Sequence, residues 1–467
     1  MPEPDAASVP DDALSANGID GTTGRPAFAP LTVTDIAARV RAELADQPFG
    51  IDHDEIGIKR GAEDIAESGW GVVVPEGLDP AVRRALDKLC AHRAKQAGAR
   101  YQELDFRPHD DDFARWLVRH EISPGDPNHD VVPKYLLLLG PPELIPLSFQ
   151  YLLGIEYGVG RLCFDTPEEY ARYAESVVAY ETAPAATTAR EICLWGPRRD
   201  RATEVSSDDL LAPLVQGWGR SMGLGDAAQF RTTARLAEEA TKENLLAALH
   251  RTSELPPTLL FTASHGAVWP SEHARQAAEQ GAILAHDWFP GEPVERAHRI
   301  AADDIADSAR IHGLVAFLFA CYSAGTPAID SFPRSRAEPL RTIAPAPFIS
   351  ALPRRLLAHP GGGALGVIGH VDRAWGYSMK RAGAAPQVGP FREGLLRILR
   401  GAPLGDALAD FGRRYSVLST SLLSALDRGA ASISDDDLAR RWIERNDAQG
   451  YVLLGDPGAS VRRDVTS

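Results

Sequence analysis

The stretch that decides the fold is L-V-A-F-L-F-A-C-Y-S-A-G, residues 314–325. Its apolar run is too short to span a membrane and is typical of a β-strand that is buried on both faces of a sheet. Cys321 comes at the end of this run, and small and polar residues then lead to Gly325. In α/β sheets, the loops that follow the strands are the usual place for ligand contacts. The stretch therefore predicts an α/β protein with a cysteine in the position of a functional residue.

A second apolar run, T-L-L-F-T-A-S at residues 258–264, ends in His265 and Gly266. Two neighbouring parallel strands that are joined by a crossover bring their carboxyl ends to the same edge of the sheet. Peptide hydrolysis needs a thiolate nucleophile and a group that can donate a proton to the leaving amine, and a histidine can donate or accept a proton near neutral pH. We therefore predict that His265 and Cys321 form a catalytic dyad.

The composition limits the possible partners and the cellular location. The 467 residues are 44% hydrophobic, which is enough for a large core and for more than one domain. A net charge of −15 argues against nucleic acid or an anionic membrane as a partner. Four scattered cysteines without a CxxC pair exclude a cysteine-rich zinc site and a disulfide-dense scaffold. No export signal and no apolar span of about 18 residues is visible, so we expect a cytoplasmic protein. We expect no cofactor and no metal.

Strand and helix patterns alternate along most of the chain, which indicates a mainly parallel sheet with helices on both faces. Residues 1–48 are rich in Ala, Asp, Pro and Gly, and we interpret them as a flexible tail with one helical pattern at 33–44. The small residues at 182–189 indicate a joint. We therefore expect an N-terminal α/β subdomain at 49–185 and a catalytic subdomain at 186–467.

Several motifs, taken in order, resemble those of the gingipain-like cysteine peptidases, which are relatives of caspases and separase. The resemblance covers most of residues 130–463, and the separation of 56 residues between His265 and Cys321 is close to the roughly 50 of caspases. It implies a caspase-like three-layer α/β/α fold with mainly parallel sheets and a cysteine endopeptidase that acts on a peptide or protein substrate. The motifs are Y-L-L-L-L-G-P-P-E-L-I-P (135–146), E-Y-G-V-G-R-L (156–162), A-S-H-G (263–266), F-A-C-Y-S-A-G (319–325), G-A-L-G-V-I-G-H-V-D-R-A-W (363–375) and Y-V-L-L-G-D-P (451–457).

The resemblance also implies roles for other residues. The backbone N–H groups of Gly266 and Cys321 would bind the oxyanion, and a glycine allows the substrate carbonyl to approach closely. Glu156 would orient His265 in the way that the acid of a catalytic triad does. Asp372 and Trp375 would line the S1 pocket.

A carboxylate beneath a flat aromatic ring suits a guanidinium or an ammonium group. This predicts cleavage after Arg or Lys at P1. Glu169, at the start of an acid-rich helix, is a second candidate for the floor of the pocket.

Other readings of the same residues stay open. C-Y-S-A-G resembles a G-x-S-x-G nucleophile elbow whose first glycine is a cysteine, so a serine hydrolase that uses Ser323 is an alternative. His370 could compete with His265 as the base. Asp303 and Asp304 are interpreted as acids at a helix start, with a calcium contact as the alternative.

The chain could also be a catalytically silent binding or regulatory module with the same fold. A cytoplasmic protease needs restraint, so we hypothesise that the tail or the N-terminal subdomain is inhibitory. A regulatory or activating partner is possible, and its identity does not follow from the sequence.

Overall fold

The structure is a computed structural model that describes residues 13–14, 17–28, 31–45, 64–110, 112–218, 220–251, 255–330, 332, 341–376, 379–380, 385–427 and 433–462. The strands of the described part are β1 Ala13–Leu14, β2 Gly18–Asp20, β3 Leu31–Thr32, β4 Trp70–Pro75, β5 Tyr101–Phe106, β6 Tyr135–Leu139, β7 Gly158–Leu162, β8 Ala189–Gly196, β9 Gly217–Trp218, β10 Ser221–Met222, β11 Arg231–Leu236, β12 Pro257–Ala263, β13 Gly266–Val268, β14 Ile283–Leu284, β15 Arg299–Ile300, β16 Val315–Phe319, β17 Gly325–Thr326, β18 Phe348–Ile349, β19 Gly366–His370 and β20 Tyr451–Gly455. The α-helices are α1 Val33–Ala45, α2 Ile65–Ser68, α3 Pro80–Ala85, α4 Asp87–Ala97, α5 Phe113–Arg119, α6 Leu147–Leu153, α7 Pro167–Thr182, α8 Arg201–Ser206, α9 Ala212–Gln216, α10 Leu224–Ala228, α11 Lys242–Leu249, α12 Gln276–Glu279, α13 Ala351–Leu357, α14 Gly389–Leu399, α15 Ala409–Asp427 and α16 Asp435–Gln449. None of these helices is both long and apolar enough to cross a membrane.

A single ten-stranded sheet forms the centre of the molecule. Its order is β11-β8-β12-β16-β19-β20-β7-β6-β4-β5. All neighbours in it are parallel except β19 and β20, which are antiparallel. The predicted α/β class with mainly parallel strands is therefore confirmed. Because β20 is antiparallel to β19 and parallel to β7, the strands on its two sides run in opposite directions.

Both faces of the sheet are buried. Successive side chains of a strand point to opposite faces. On β4, Val72 belongs to one hydrophobic cluster and Val73 to another, and on β6 Leu137 and Leu136 divide in the same way. The apolar runs without alternation in the sequence follow from this arrangement, because helices cover the sheet on both sides. The layers are thus α/β/α, as predicted.

The predicted division of the chain lies between two groups of strands. β4 to β7 occupy one end of the sheet, and β8, β11, β12, β16 and β19 occupy the other. β20 lies between the groups, although it comes last in the sequence. Residue 186 falls in the connection from α7 to β8, and its role as a subdomain boundary stays a prediction.

In the N-terminal region, the structure describes three short strands and one helix between residues 13 and 45. α1 corresponds to the helix that was predicted at 33–44, and it packs against α16 with Ile36, Ala37 and Val40 buried. β2 pairs with β13 at the edge of a four-stranded sheet of order β15-β14-β13-β2. Main-chain pairing and these few apolar side chains hold the described residues in place, and the flexible tail at 1–48 stays a prediction.

Candidate active site

His265 and Cys321 lie at the same edge of the sheet, as predicted from their strands. β12 and β16 are parallel, with Ala263 opposite Phe319, and each candidate residue comes two positions after its strand's last paired residue. The two backbones touch there, since a Cβ on Gly266 would lie 2.0 Å from the Cys321 carbonyl oxygen. Only glycine fits this position without a shift of the main chain.

Cys321 is fully buried. Its sulfur accepts a hydrogen bond from the backbone N–H of Ala374 at 3.2 Å. Tyr322, the next residue, has a φ of 57°, a left-handed conformation that bulky residues rarely adopt and that is common at functional sites. Burial raises the pKa of the Cys321 thiol to about 12, so this state of the protein holds a protonated thiol at neutral pH.

His265 makes two short hydrogen bonds. Nε2 lies 2.6 Å from Oδ2 of Asp200, and Nδ1 lies 2.6 Å from the carbonyl oxygen of Asn17. A carbonyl and an ionised carboxylate can only accept, so both ring nitrogens donate and we assign the ring as an imidazolium. Burial works against this charge, but the Asp200 carboxylate outweighs it and raises the pKa of His265 above its usual value.

The acid that orients His265 is therefore Asp200. It is the N-cap of α8, and its carboxylate also accepts the Thr203 N–H at 3.0 Å. Burial alone would raise the pKa of Asp200, but the charge of His265 and these hydrogen bonds hold it well below its usual value. Sequence reasoning did not find this residue. The sequence does contain a pattern that could have indicated Asp200. It is the capping pattern D-x-x-T, which comes just after strand β8, the strand that pairs with β12.

Glu156 does not have the predicted position. It precedes β7, which is separated from β12 by three strands, and four strand spacings amount to roughly 19 Å. Its carboxyl group accepts the backbone N–H of Gly125, and burial raises its pKa. Because the last strand of the chain is inserted between the two groups of strands, Glu156 is far from His265 along the sheet.

Of the three residues predicted for the S1 pocket, Glu169 lies apart from Asp372 and Trp375. Asp372 accepts the N–H of Arg373 at 2.7 Å and lines a cleft of about 470 Å³. Trp375 is buried, and its ring packs against Phe332 with 5.3 Å between centroids. Glu169 accepts the N–H groups of Asp165 and Thr166 and closes the capping box of α7. α7 follows β7, which runs opposite to β16, so Glu169 lies at the other edge of the sheet.

Ser323 is held by the main chain. Its hydroxyl donates to the Leu318 carbonyl at 2.7 Å and accepts the His370 N–H at 3.0 Å. The His370 ring lies against the Asp372 carbonyl at 2.9 Å and the Asp447 carbonyl at 3.1 Å. These contacts make Ser323 and His370 structural residues beside the site.

The acidic pair Asp303 and Asp304 forms ion pairs. Arg299 contacts both carboxylates, and Lys242 contacts Asp304 at 2.7 Å. Among the described residues, no cluster of three or more His, Cys, Asp or Glu side chains is arranged to hold a metal ion. The two acids therefore serve as partners of these cations.

Comparison with known proteins gives similar folds at low identity. No protein-family model matches the chain, and no curated protein matches it. A complex of the RgpB pro- and mature domains from Porphyromonas gingivalis has 13% identity and a TM-score of 0.46 and covers 85% of this chain and 81% of its own. The Arg-specific cysteine proteinase gingipain R (RgpB) has 14% identity and a TM-score of 0.45, and the match covers 90% of this chain and 82% of that protein. A separase–securin complex from Saccharomyces cerevisiae has 13% identity and a TM-score of 0.34, and the match covers 70% of this chain and 15% of the matched chain in that complex.

Proposed function

We propose that the protein is a cysteine endopeptidase in which Cys321 is the nucleophile, His265 is the general acid and base, and Asp200 positions His265. The observation that carries the proposal is the placement of His265 and Cys321 at matching positions beyond two paired parallel strands, with the Asp200 carboxylate on the imidazole. A cysteine and a histidine at adjacent strand ends, with a carboxylate on the histidine, supply the nucleophile, the base and the orienting acid of a catalytic triad.

The reaction proceeds in two steps. When a substrate displaces the Asn17 carbonyl from Nδ1 of His265, the ring in its neutral form takes the thiol proton of Cys321. The thiolate attacks the scissile carbonyl carbon while the N–H groups of Gly266 and Cys321 bind the oxyanion. The C–N bond then breaks, and His265 gives its proton to the leaving amine. Water next loses a proton to His265 and attacks the thioester carbonyl carbon. The C–S bond then breaks, the carboxylic acid product leaves, and His265 returns its proton to the sulfur of Cys321.

Cysteine substitutions test this proposal. We expect that Cys321→Ala abolishes hydrolysis of a mixed peptide library and leaves the melting temperature near that of the wild type. Cys193→Ala is the matched control, because Cys193 is also buried and lies in the same sheet on β8, with β12 between β8 and β16. Turnover by the Cys321→Ala variant, or equal loss in both variants, would contradict the assignment.

A catalytically silent module is the second candidate, and the full burial of Cys321 favours it. A thiol-reactive probe on the folded protein separates the two functions. Labelling of Cys321 that depends on His265 supports the enzyme. A protein whose Cys321 reacts with the probe independently of His265, and which cleaves no peptide, is a silent module. The contacts of Ser323 leave the serine hydrolase without support.

The basic P1 residue and the cytoplasmic location stay predictions. Asp372 could pair with an Arg or Lys side chain, but Arg39 and Arg445 line the same cleft and disfavour a further cation. Peptides that differ only at P1 measure this preference directly.

A further inference from the structure

The chain's own N-terminal segment lies across the candidate active site. β2 runs parallel to β13, with Gly18 opposite Gly266 and Asp20 opposite Val268. β13 begins at the residue after His265. An extended segment that adds to the edge of a sheet through main-chain hydrogen bonds is one of the common ways in which proteins bind peptides.

The peptide group between Asn17 and Gly18 is bracketed by the candidate catalytic residues. The Asn17 N–H donates to the Ala374 carbonyl at 3.2 Å, and the Asn17 carbonyl accepts from Nδ1 of His265 at 2.6 Å. The neighbouring Ala374 N–H donates to the sulfur of Cys321. A Cβ on Gly18 would lie 3.7 Å from the Cβ of Cys321. The carbonyl that the dyad faces is therefore that of Asn17.

A tight hairpin holds this segment in place. Ile19 pairs with Pro26, and the Asp20 carboxylate accepts the N–H groups of Thr22 and Thr23 at 2.8 and 2.9 Å. Gly24 has a φ of 64°, and a Cβ there would lie 1.7 Å from the Glu292 carbonyl oxygen. The hairpin thus fits the body of the protein closely at its turn.

Arg373 fixes the far end of the segment. Its guanidinium group lies 3.5 Å from the centre of the Phe28 ring, and Phe28 in turn packs beside Gly18. The contact combines a cation with an aromatic face.

We propose that residues 17–28 are a built-in plug that occupies the substrate position, with Asn17 in the P1 position and Gly18 in P1′. The proposal rests on the proposed function, and it names an uncharged amide at P1 in place of a basic residue. Asn17 is only 2% exposed, and its side-chain oxygen is buried without a hydrogen-bond partner in the described part of the structure. A neutral amide tolerates such a position far better than a cation without a paired carboxylate does. In this state the plug excludes other peptides and keeps Cys321 from solvent.

The first test compares two glycines of the full chain. In Gly24→Ala, the added Cβ meets the Glu292 carbonyl and should release the hairpin, so we expect Cys321 to react with a small thiol probe about tenfold faster than in the wild type. Gly77→Ala is the matched control, because Gly77 also has a positive φ but its Cβ would meet nothing within 4 Å. Equal labelling rates in the two folded variants overturn the plug. Asp20→Ala, which loosens the same turn without a clash, is the second variant if Gly24→Ala melts early.

The second test measures the P1 residue. A peptide with the sequence of residues 13–21, A-L-S-A-N-G-I-D-G, should protect Cys321 of the Gly24→Ala variant from the probe. The same peptide with Asn17→Arg should protect about tenfold less well. Equal or better protection by the arginine peptide overturns the assignment of P1.

The two tests separate the plug from the enzyme. Fast labelling of Gly24→Ala without hydrolysis of any peptide supports the plug and contradicts the proposed function. Hydrolysis by the wild type that Gly24→Ala leaves unchanged supports the proposed function and contradicts the plug.

Discussion

At the scale of single residues, the pair of Asp200 and His265 joins a half-buried carboxylate to a buried imidazole. The carboxylate fixes the ring and favours its charged form. We predict that Asp200→Asn lowers kcat about 10²- to 10⁴-fold, because the amide can still cap α8 but cannot stabilise an imidazolium. The dependence of the Cys321 labelling rate on pH should shift to lower pH in this variant, since the pKa of His265 falls.

The control for this prediction is Asp208→Asn, which removes a more exposed acid that pairs with Arg198. It should leave kcat and the pH profile unchanged. An unchanged pH profile in Asp200→Asn would mean that the carboxylate has only a structural role.

The same pair makes stability depend on pH. The pKa of His265 is raised on folding, so its contribution is complete below about pH 6.5 and is lost as the pH rises through the folded value. The pKa of Asp200 is lowered, so its contribution is present above about pH 4 and is lost as the pH falls through the folded value. The free energy of unfolding of the wild type should exceed that of Asp200→Asn by about 3 kcal/mol near pH 5.5 and by much less at pH 9. Urea unfolding at both pH values measures this, and a difference that grows with pH would refute it.

At the scale of elements, the start of α7 shows how a functional prediction can fall on a structural residue. Thr166 and Glu169 form a reciprocal capping box, and Pro167 occupies the first helical position. We predict that Thr166→Ala lowers the free energy of unfolding by about 1 kcal/mol, and that Glu169→Gln, which keeps the box, is close to neutral. Neither change should alter the preference for P1 in a peptide library. If Glu169→Gln weakens the preference for a basic residue at P1, Glu169 does line the S1 pocket.

At the scale of the whole molecule, a buried ion network joins elements that are far apart in the sequence. Arg93 of α4 is fully buried and contacts Asp456 after β20 at 2.7 Å and Glu181 of α7 at 2.7 Å. The ring nitrogen of Trp70 also donates to Asp456. We predict that Arg93→Met lowers the free energy of unfolding by about 3–5 kcal/mol, because it leaves buried carboxylates without their cation.

Arg83→Met is the comparison for this network, since Arg83 pairs at the surface with Asp87 and Glu103. Its cost should stay below about 1 kcal/mol. If urea unfolding shows that both variants lose the same free energy of unfolding, burial does not determine how much these ion pairs contribute to stability.

The sequence predicted what local patterns determine. The long apolar runs identify β6, β12 and β16, and the ends of the last two strands lead directly to His265 and Cys321. The positions of Asp200 and of the plug beside His265 depend on contacts between segments that are distant in the sequence. Residues 17–28 contain few apolar side chains, although I-D-G-T-T-G-R-P has the glycines and the aspartate of a hairpin turn. Their order comes from backbone partners that lie hundreds of positions away, and no local pattern encodes such a pairing.

The late arrival of β20 has a consequence for the nascent chain. During synthesis, β7 and β19 are complete long before Tyr451–Gly455 exists, and the final strand pairs with both. Until then, each presents an unsatisfied row of amides and carbonyls that can recruit strands from other molecules. A chain that is cut before Tyr451 should therefore leave both strand edges open and be prone to aggregation.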